Sequence, residues 1–188
     1  MKKIFILLFA TTIISNFSYA QKKVGGITMP EKIELKENTL VLNGAGVREK
    51  MWIDLYACGL YIKTKTTDAK SIINSKELSG IKIHIVSSLI TSEKMNNAVE
   101  DGFKKSAGDN IKSLRKDVDT FKSIFAKEDI KKGDIYDIMY IPNKGVVVFK
   151  NGKIFPAINN FDFKKALFAI WLGDDPADDD LKEELLGK

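Results

Sequence analysis

Apolar positions recur every second residue in some stretches of this chain and every third or fourth in others, and the switches mark its elements. Lys32–Leu42 alternates roughly, with Ile33, Leu35, Leu40 and Leu42 apolar. The small residues Asn43, Gly44, Ala45 and Gly46 follow, where backbone can turn sharply or approach something closely. Val47–Lys50 then leads into Trp52–Ile62, a long strand pattern. There Trp52, Asp54, Tyr56, Cys58, Leu60 and Ile62 share one face, and Ile53, Leu55, Ala57, Gly59 and Tyr61 the other. Apolar groups on both faces predict a central strand covered on both sides. Thr67 or Asp68 can cap a short helix to about Lys76. In Ile81–Ser87 the isoleucines take one face, with Lys82 and His84 opposite.

Period three to four then takes over. Thr91 or Ser92 opens a helix with Met95, Ala98, Val99, Phe103 and Ala107 in one stripe. Gly108 ends it, and Asp109 can cap a second, reaching about Lys127, with Ile111, Leu114, Val118, Phe121, Ile124 and Phe125 on one face. Asp134–Ile141 returns to period two. After a turn at Pro142–Gly145, Val146–Lys150, the hairpin signal Asn151-Gly152 and Lys153–Ile158 complete a three-stranded meander. Phe161–Leu172 reads as an apolar helix stopped by Gly173, and Asp178–Leu186 as a polar one. Segregated blocks of strands and helices define an α+β fold.

The N-terminus lies outside that pattern. Lys2 and Lys3 precede an apolar run from Ile4 to Ile14, and Ser18 and Ala20 place small residues at the −3 and −1 positions of a cleavage site. This is the layout of a secretory signal, residues 1–20, with the mature domain over 21–188 and an exported, periplasmic or secreted location. The apolar run is too short to span a bilayer, which takes about 20 residues. With no second long apolar segment, membrane contact of the mature domain is expected to be peripheral at most.

Composition narrows the chemistry. Loss of Lys2 and Lys3 lowers the formal net charge from +5 to +3, too modest to suggest a nucleic-acid partner. Cys58 is the single cysteine, set in an apolar strand, and reads as a small buried hydrophobe. His84 is the single histidine, which argues against a His-based triad or a multi-histidine metal site. No metal or cofactor is expected.

Two segments carry a resemblance. The first is Leu42 to Lys50 (Leu-Asn-Gly-Ala-Gly-Val-Arg-Glu-Lys), followed by Leu55 to Tyr61 (Leu-Tyr-Ala-Cys-Gly-Leu-Tyr). The second is Ala166 to Gly173 (Ala-Leu-Phe-Ala-Ile-Trp-Leu-Gly), with Pro176, Leu181, Lys182 and Leu185 to Gly187 beyond it. Together they resemble the chalcone isomerase-like superfamily, including its bacterial secreted members. The resemblance implies an open-faced β-sandwich: a large antiparallel sheet, a helical layer over it, and a cleft between. It also implies a site. The arginine after the Gly-Ala-Gly motif matches Arg48, and the site positions of the plant isomerases fall at Tyr56, Thr91, Ala98 and Ile170. Only the arginine keeps its type. Tyr56, in a Tyr-Ala strand, looks more like the fatty-acid-binding members than the isomerases.

The chemistry of Arg48 can be argued from the residue alone. A guanidinium stays charged, offers five donors in a planar fork and is very costly to bury unpaired. It wants an acid or a bound anion. A ligand carboxylate would take its fork, with the Tyr56 phenol as a third donor. An apolar tail would run among residues such as Leu60, Met95, Phe103, Phe121, Phe125 and Phe168. The plain structural alternative pairs Arg48 with Glu49 or Asp54 at a sheet edge, or leaves it exposed. The leading expectation is therefore non-catalytic binding of a small amphipathic carboxylate, a fatty acid first. The alternatives are an isomerase of chalcone isomerase type, an intramolecular lyase, or an interaction protein whose cleft is closed and whose Arg48 pairs internally. Oligomeric state is not readable from the sequence.

Overall fold

A computed structural model describes residues 22–126 and 129–188. The signal expected over 1–20 lies outside the described residues. An N-terminal hairpin, β1 (Lys22–Val24) and β2 (Ile27–Met29), precedes a seven-stranded antiparallel sheet whose strands lie in sequence order. These are β3 (Lys32–Leu35), β4 (Asn38–Lys50), β5 (Ile53–Ile62), β6 (Ser79–Ile85), β7 (Ile135–Ile141), β8 (Gly145–Lys150) and β9 (Lys153–Ile154). The helices are α1 (Ala69–Asn74), α2 (Ser92–Ala107), α3 (Ile111–Ala126), α4 (Phe161–Leu172) and α5 (Asp179–Leu185). This is the α+β arrangement the periodicity predicts.

Four of the five α-helices start where a short polar side chain accepts the first free backbone N–H groups. Asp68 caps α1, Thr91 caps α2, Asn160 caps α4 and Asp178 caps α5. Gly108, at φ +52°, ends α2 in a conformation that L side chains rarely adopt, and a single 3-10 turn leads into α3.

The sheet is buried on both faces, as the β5 pattern predicts. Cys58, Leu60, Ile81, Ile83, Ile85, Tyr136, Ile138, Val146 and Val148 face the helices. The rings of Phe103 and Phe163 stack there at 5.1 Å, with Phe121 edge-on to both. Each such ring or aliphatic chain contributes about 1.5–3 kcal/mol on burial. Opposite lies a smaller cluster of Met29, Leu40, Leu42, Ala45, Ala57, Tyr61, Leu78 and Met139, partly roofed by Val24 and Ile27 of the first hairpin. The Tyr61 hydroxyl donates to the Pro30 carbonyl at 2.8 Å.

One local expectation is corrected. Asn43–Gly46 does not turn the chain. β4 runs straight through it, and the register slips there, with Leu42 opposite Tyr61 but Gly44 opposite Leu60. Asn43 is the extra residue of a β-bulge, which re-aims its side chain without ending the strand.

Candidate functional site

The small residues of β4 let a helix backbone approach a strand. A Cβ on Gly44 would fall on the carbonyl oxygens of Glu184 and Leu185, and one on Gly46 on the Glu184 side chain. With hydrogens in their place, α5 lies directly across β4. The bulged Asn43 pins it: its amide donates to the Leu185 carbonyl at 2.8 Å, and its oxygen accepts from Thr66 N at 2.9 Å. Val47 N donates to Glu184 Oε2 at 3.3 Å. The close approach foreseen for this run is therefore an approach of the chain to itself.

Arg48 stands at the end of this seam. Its Nη1 donates to Asp178 Oδ2 at 2.6 Å and to the Glu49 carbonyl at 2.7 Å. Asp178 divides its carboxylate, since Oδ1 accepts from Leu181 N at 3.0 Å and so caps α5. The arginine side chain is 23% exposed and the aspartate 14%, so solvent reaches the pair. An acidic partner was anticipated at Glu49 or Asp54. The partner is instead Asp178, 130 residues away along the chain, with Glu49 contributing only its backbone.

Tyr56 is the cross-strand partner of Arg48, directly opposite it in the β4–β5 ladder. Its hydroxyl oxygen accepts from Trp171 Nε1 of α4 at 3.1 Å. Burial pushes the phenol well above its ordinary value, Cys58 adds to this, and the Trp171 bond and Arg48 offset part of it. Tyr56 is therefore a neutral phenol with a proton still to donate. Burial likewise pushes the Cys58 thiol far up, so it has no thiolate character.

The other expected positions have other surroundings. Thr91 is exposed, and its hydroxyl accepts from Lys94 N at 3.2 Å as the α2 cap. Ala98 is exposed on α2. Ile170 is buried on α4, and Gly102 of α2 lies close against it. The structure thus brings Arg48 and Tyr56 together and adds Asp178 and Trp171, which the sequence places only in the two C-terminal helices. The tail-lining candidates Leu60, Met95, Phe103, Phe121, Phe125 and Phe168 all lie in the core layer between sheet and helices. No group of acids, histidines and cysteines among the described residues could hold a metal ion.

A family model described as chalcone isomerase-like matches residues 21–187. The chain belongs to the chalcone isomerase-like family. A solved structure of this fold, a fatty-acid binding protein of Arabidopsis thaliana, superimposes with a TM-score of 0.68 at 18% identity, covering 86% of this chain and 92% of that one. No curated protein matches the sequence. In this chalcone isomerase-like chain the Gly-Ala-Gly segment and the C-terminal segment are thus two sides of one contact, β4 against α5, with Arg48 and Asp178 closing its end.

Proposed function

We propose that the protein is a non-catalytic binder of a small amphipathic carboxylate, a fatty acid in the first instance, acting after export from the cytoplasm. The observation that carries the reading is the Arg48–Asp178 pair beside the Tyr56 hydroxyl. A carboxylate already rests on Arg48, contributed by the chain itself, and a ligand head group would take that place. Exchanging one carboxylate for another leaves the charge balance of the guanidinium unchanged. Head-group exchange therefore fixes position, and affinity comes from the tail, at about 0.8 kcal/mol per methylene buried. Displacing Asp178 also removes a helix cap worth about 1 kcal/mol, so ligand entry loosens the first turn of α5. The fatty-acid-binding activity of the structural neighbour supports the same ligand class. An isomerase would need further polar groups around Arg48, and Ala98 and Ile170 supply none.

Native mass spectrometry with lipid extraction tests this on residues 21–188 and on Arg48→Ala. A fatty acid carried by the parent chain and lost from the variant is the expected result. If neither takes up added fatty acids, the reading fails. A second reading, an interaction protein with a closed cleft, then follows from the same ion pair, because Arg48 is already satisfied internally.

A further inference from the structure

Among the described residues, the exposed large hydrophobic side chains are Met51, Trp52, Ile53, Leu89 and Ile154. All five belong to one end of the sheet. Met51 and Trp52 form the β4–β5 turn, and Ile53 opens β5. Leu89 lies in the loop after β6, anchored where Val86 N and Ser87 N both donate to the Leu55 carbonyl. Ile154 sits on the β8–β9 hairpin, set back from the tip. Met51 is 76% exposed and Trp52 is 91% exposed. The β4–β5 hairpin also projects. Tyr56 pairs with Ile85, the last residue of β6, and residues 49–54 continue on the order of 10 Å beyond it.

The turn works against local backbone preference. Glu49 faces Asp54 and Lys50 faces Ile53, leaving Met51 and Trp52 as a two-residue loop. Their φ angles are +53° and +61°. Both central residues of such a turn need positive φ, which favours Asn-Gly and penalises bulky side chains. The same chain builds the favoured version elsewhere, since Asn151 and Gly152 join β8 to β9 at φ +50° and +82°. One hairpin carries the expected residues, and the other carries a methionine and a tryptophan directed at solvent.

We infer that the Met51–Trp52 hairpin tip, with Ile53 and Leu89 behind it, docks the protein onto the surface of a lipid bilayer. Two observations favour a bilayer over a protein face. The apolar groups stand on separate convex tips, which a fluid layer accepts singly, whereas a rigid partner needs a matching relief. Exposed Lys50, Lys131, Lys132 and Lys153 stand at the same sheet end, the Lys131–Gly133 loop being tied there by Gly133 N donating to the Ile85 carbonyl. Long ammonium stems beside a tryptophan suit the headgroup zone, where aromatic rings and lysines settle together. Glu49 and Asp54 flank the tip and balance part of this charge, so insertion of the apolar side chains carries the attachment. No helix among the described residues is long and apolar enough to cross a membrane, so the tip attaches without spanning. The inference stands apart from the carboxylate reading, although Arg48 and Tyr56 lie only a few residues behind the tip.

The test is vesicle co-sedimentation of residues 21–188, which contain the whole described fold. Phosphatidylcholine vesicles are used alone and mixed with phosphatidylglycerol. The parent chain is compared with the double variant Met51→Asn, Trp52→Gly. The parent chain is expected to pellet with both vesicle types, with its exposed-tryptophan emission shifted to the blue. The double variant is expected to lose affinity more than about tenfold while its urea midpoint rises, because it installs the preferred turn. A parent chain that stays in the supernatant with both vesicle types overturns the inference, as does a double variant that binds equally well. Concentration-dependent self-association, abolished by the double variant in a chain that ignores vesicles, also overturns it and assigns the tip to a second copy.

Discussion

Arg48 and Lys164 are both cations brought to the helix side of the sheet, and the protein treats them in opposite ways. Lys164 of α4 is 0% exposed. Its ammonium donates to the carbonyls of Ile72, Ile73 and Ser75 at 2.8, 2.8 and 2.9 Å, which closes the end of α1. The rings of Phe168, Tyr140 and Phe161 surround it at 4.7 to 5.6 Å. None of its hydrogen-bond acceptors is an acid. Burial, with a smaller contribution from Lys165, brings its ammonium down to about 8. Arg48 instead keeps an acidic partner and some exposure. The contrast separates a cation built into the fold from one whose partner can be exchanged. Three fixed carbonyls cannot leave Lys164, whereas the Asp178 carboxylate can rotate away from Arg48.

The largest expected effect is on Lys164. Replacing it with Met strands one buried and two partly buried carbonyls, a fully buried one costing about 1–3 kcal/mol, and urea unfolding at neutral pH should show a loss of about 3 kcal/mol. An unchanged midpoint would remove Lys164 from the role of a structural cap. Next comes the response to alkali. The native ammonium titrates near 8 and the unfolded one near its ordinary value of 10.5, so between these the unfolded chain binds more protons and stability rises with pH. The deficit of Lys164→Met should therefore widen by up to about 3 kcal/mol across that window. Taking the difference between the two chains cancels the opposite trend from Cys58, Tyr56 and Tyr61. Their raised values stabilise the fold below their unfolded pKa and cease to do so at higher pH.

The Arg48 side should respond less in stability and more in binding. Gly44→Ala drives a methyl onto helix backbone and should cost about 2–3 kcal/mol. Gly46→Ala meets the Glu184 side chain, its Cβ as well as its carboxylate, but no backbone atom, and should cost somewhat less; a larger loss than for Gly44→Ala would mean that α5 is not seated as described. Smallest in stability is Asp178→Asn. It keeps an α5 cap and removes the charge from Arg48, for a loss of about 1 kcal/mol. In a fatty-acid titration it should tighten binding about tenfold, because the ligand no longer competes with a charged occupant. Weaker binding would place the head group elsewhere.

Much of the fold is legible because it rests on local rules. The two faces of β5, the helical stripes, the Asp68 and Thr91 caps and the Asn151-Gly152 hairpin all follow from spacing and residue type. The site is less legible because its parts are distant in sequence. Arg48 announces a need for an anion, but nothing near it in the chain points to Asp178. The glycines announce a close approach without naming what approaches. The Met51–Trp52 turn carries none of the residues that mark such turns, so Trp52 reads as the first residue of a strand that in fact begins at Ile53. The bulge at Asn43 is likewise invisible in a pattern that simply loses its period.

The packing of α5 on β4 also bears on when the molecule can finish folding. A ribosome delivers β4 long before α5, and the intervening stretch must close around the glycine seam last. Closing so long a loop adds little to the equilibrium cost, since each doubling of length takes about 0.6 kcal/mol, but long-range contacts of this kind slow the search. Until the last helix arrives, Asn43 lacks its bond to the Leu185 carbonyl and Arg48 its carboxylate. Until then the sheet would wait with a bare strip of backbone along β4, so the last stretch of chain to be made supplies the contact that completes it.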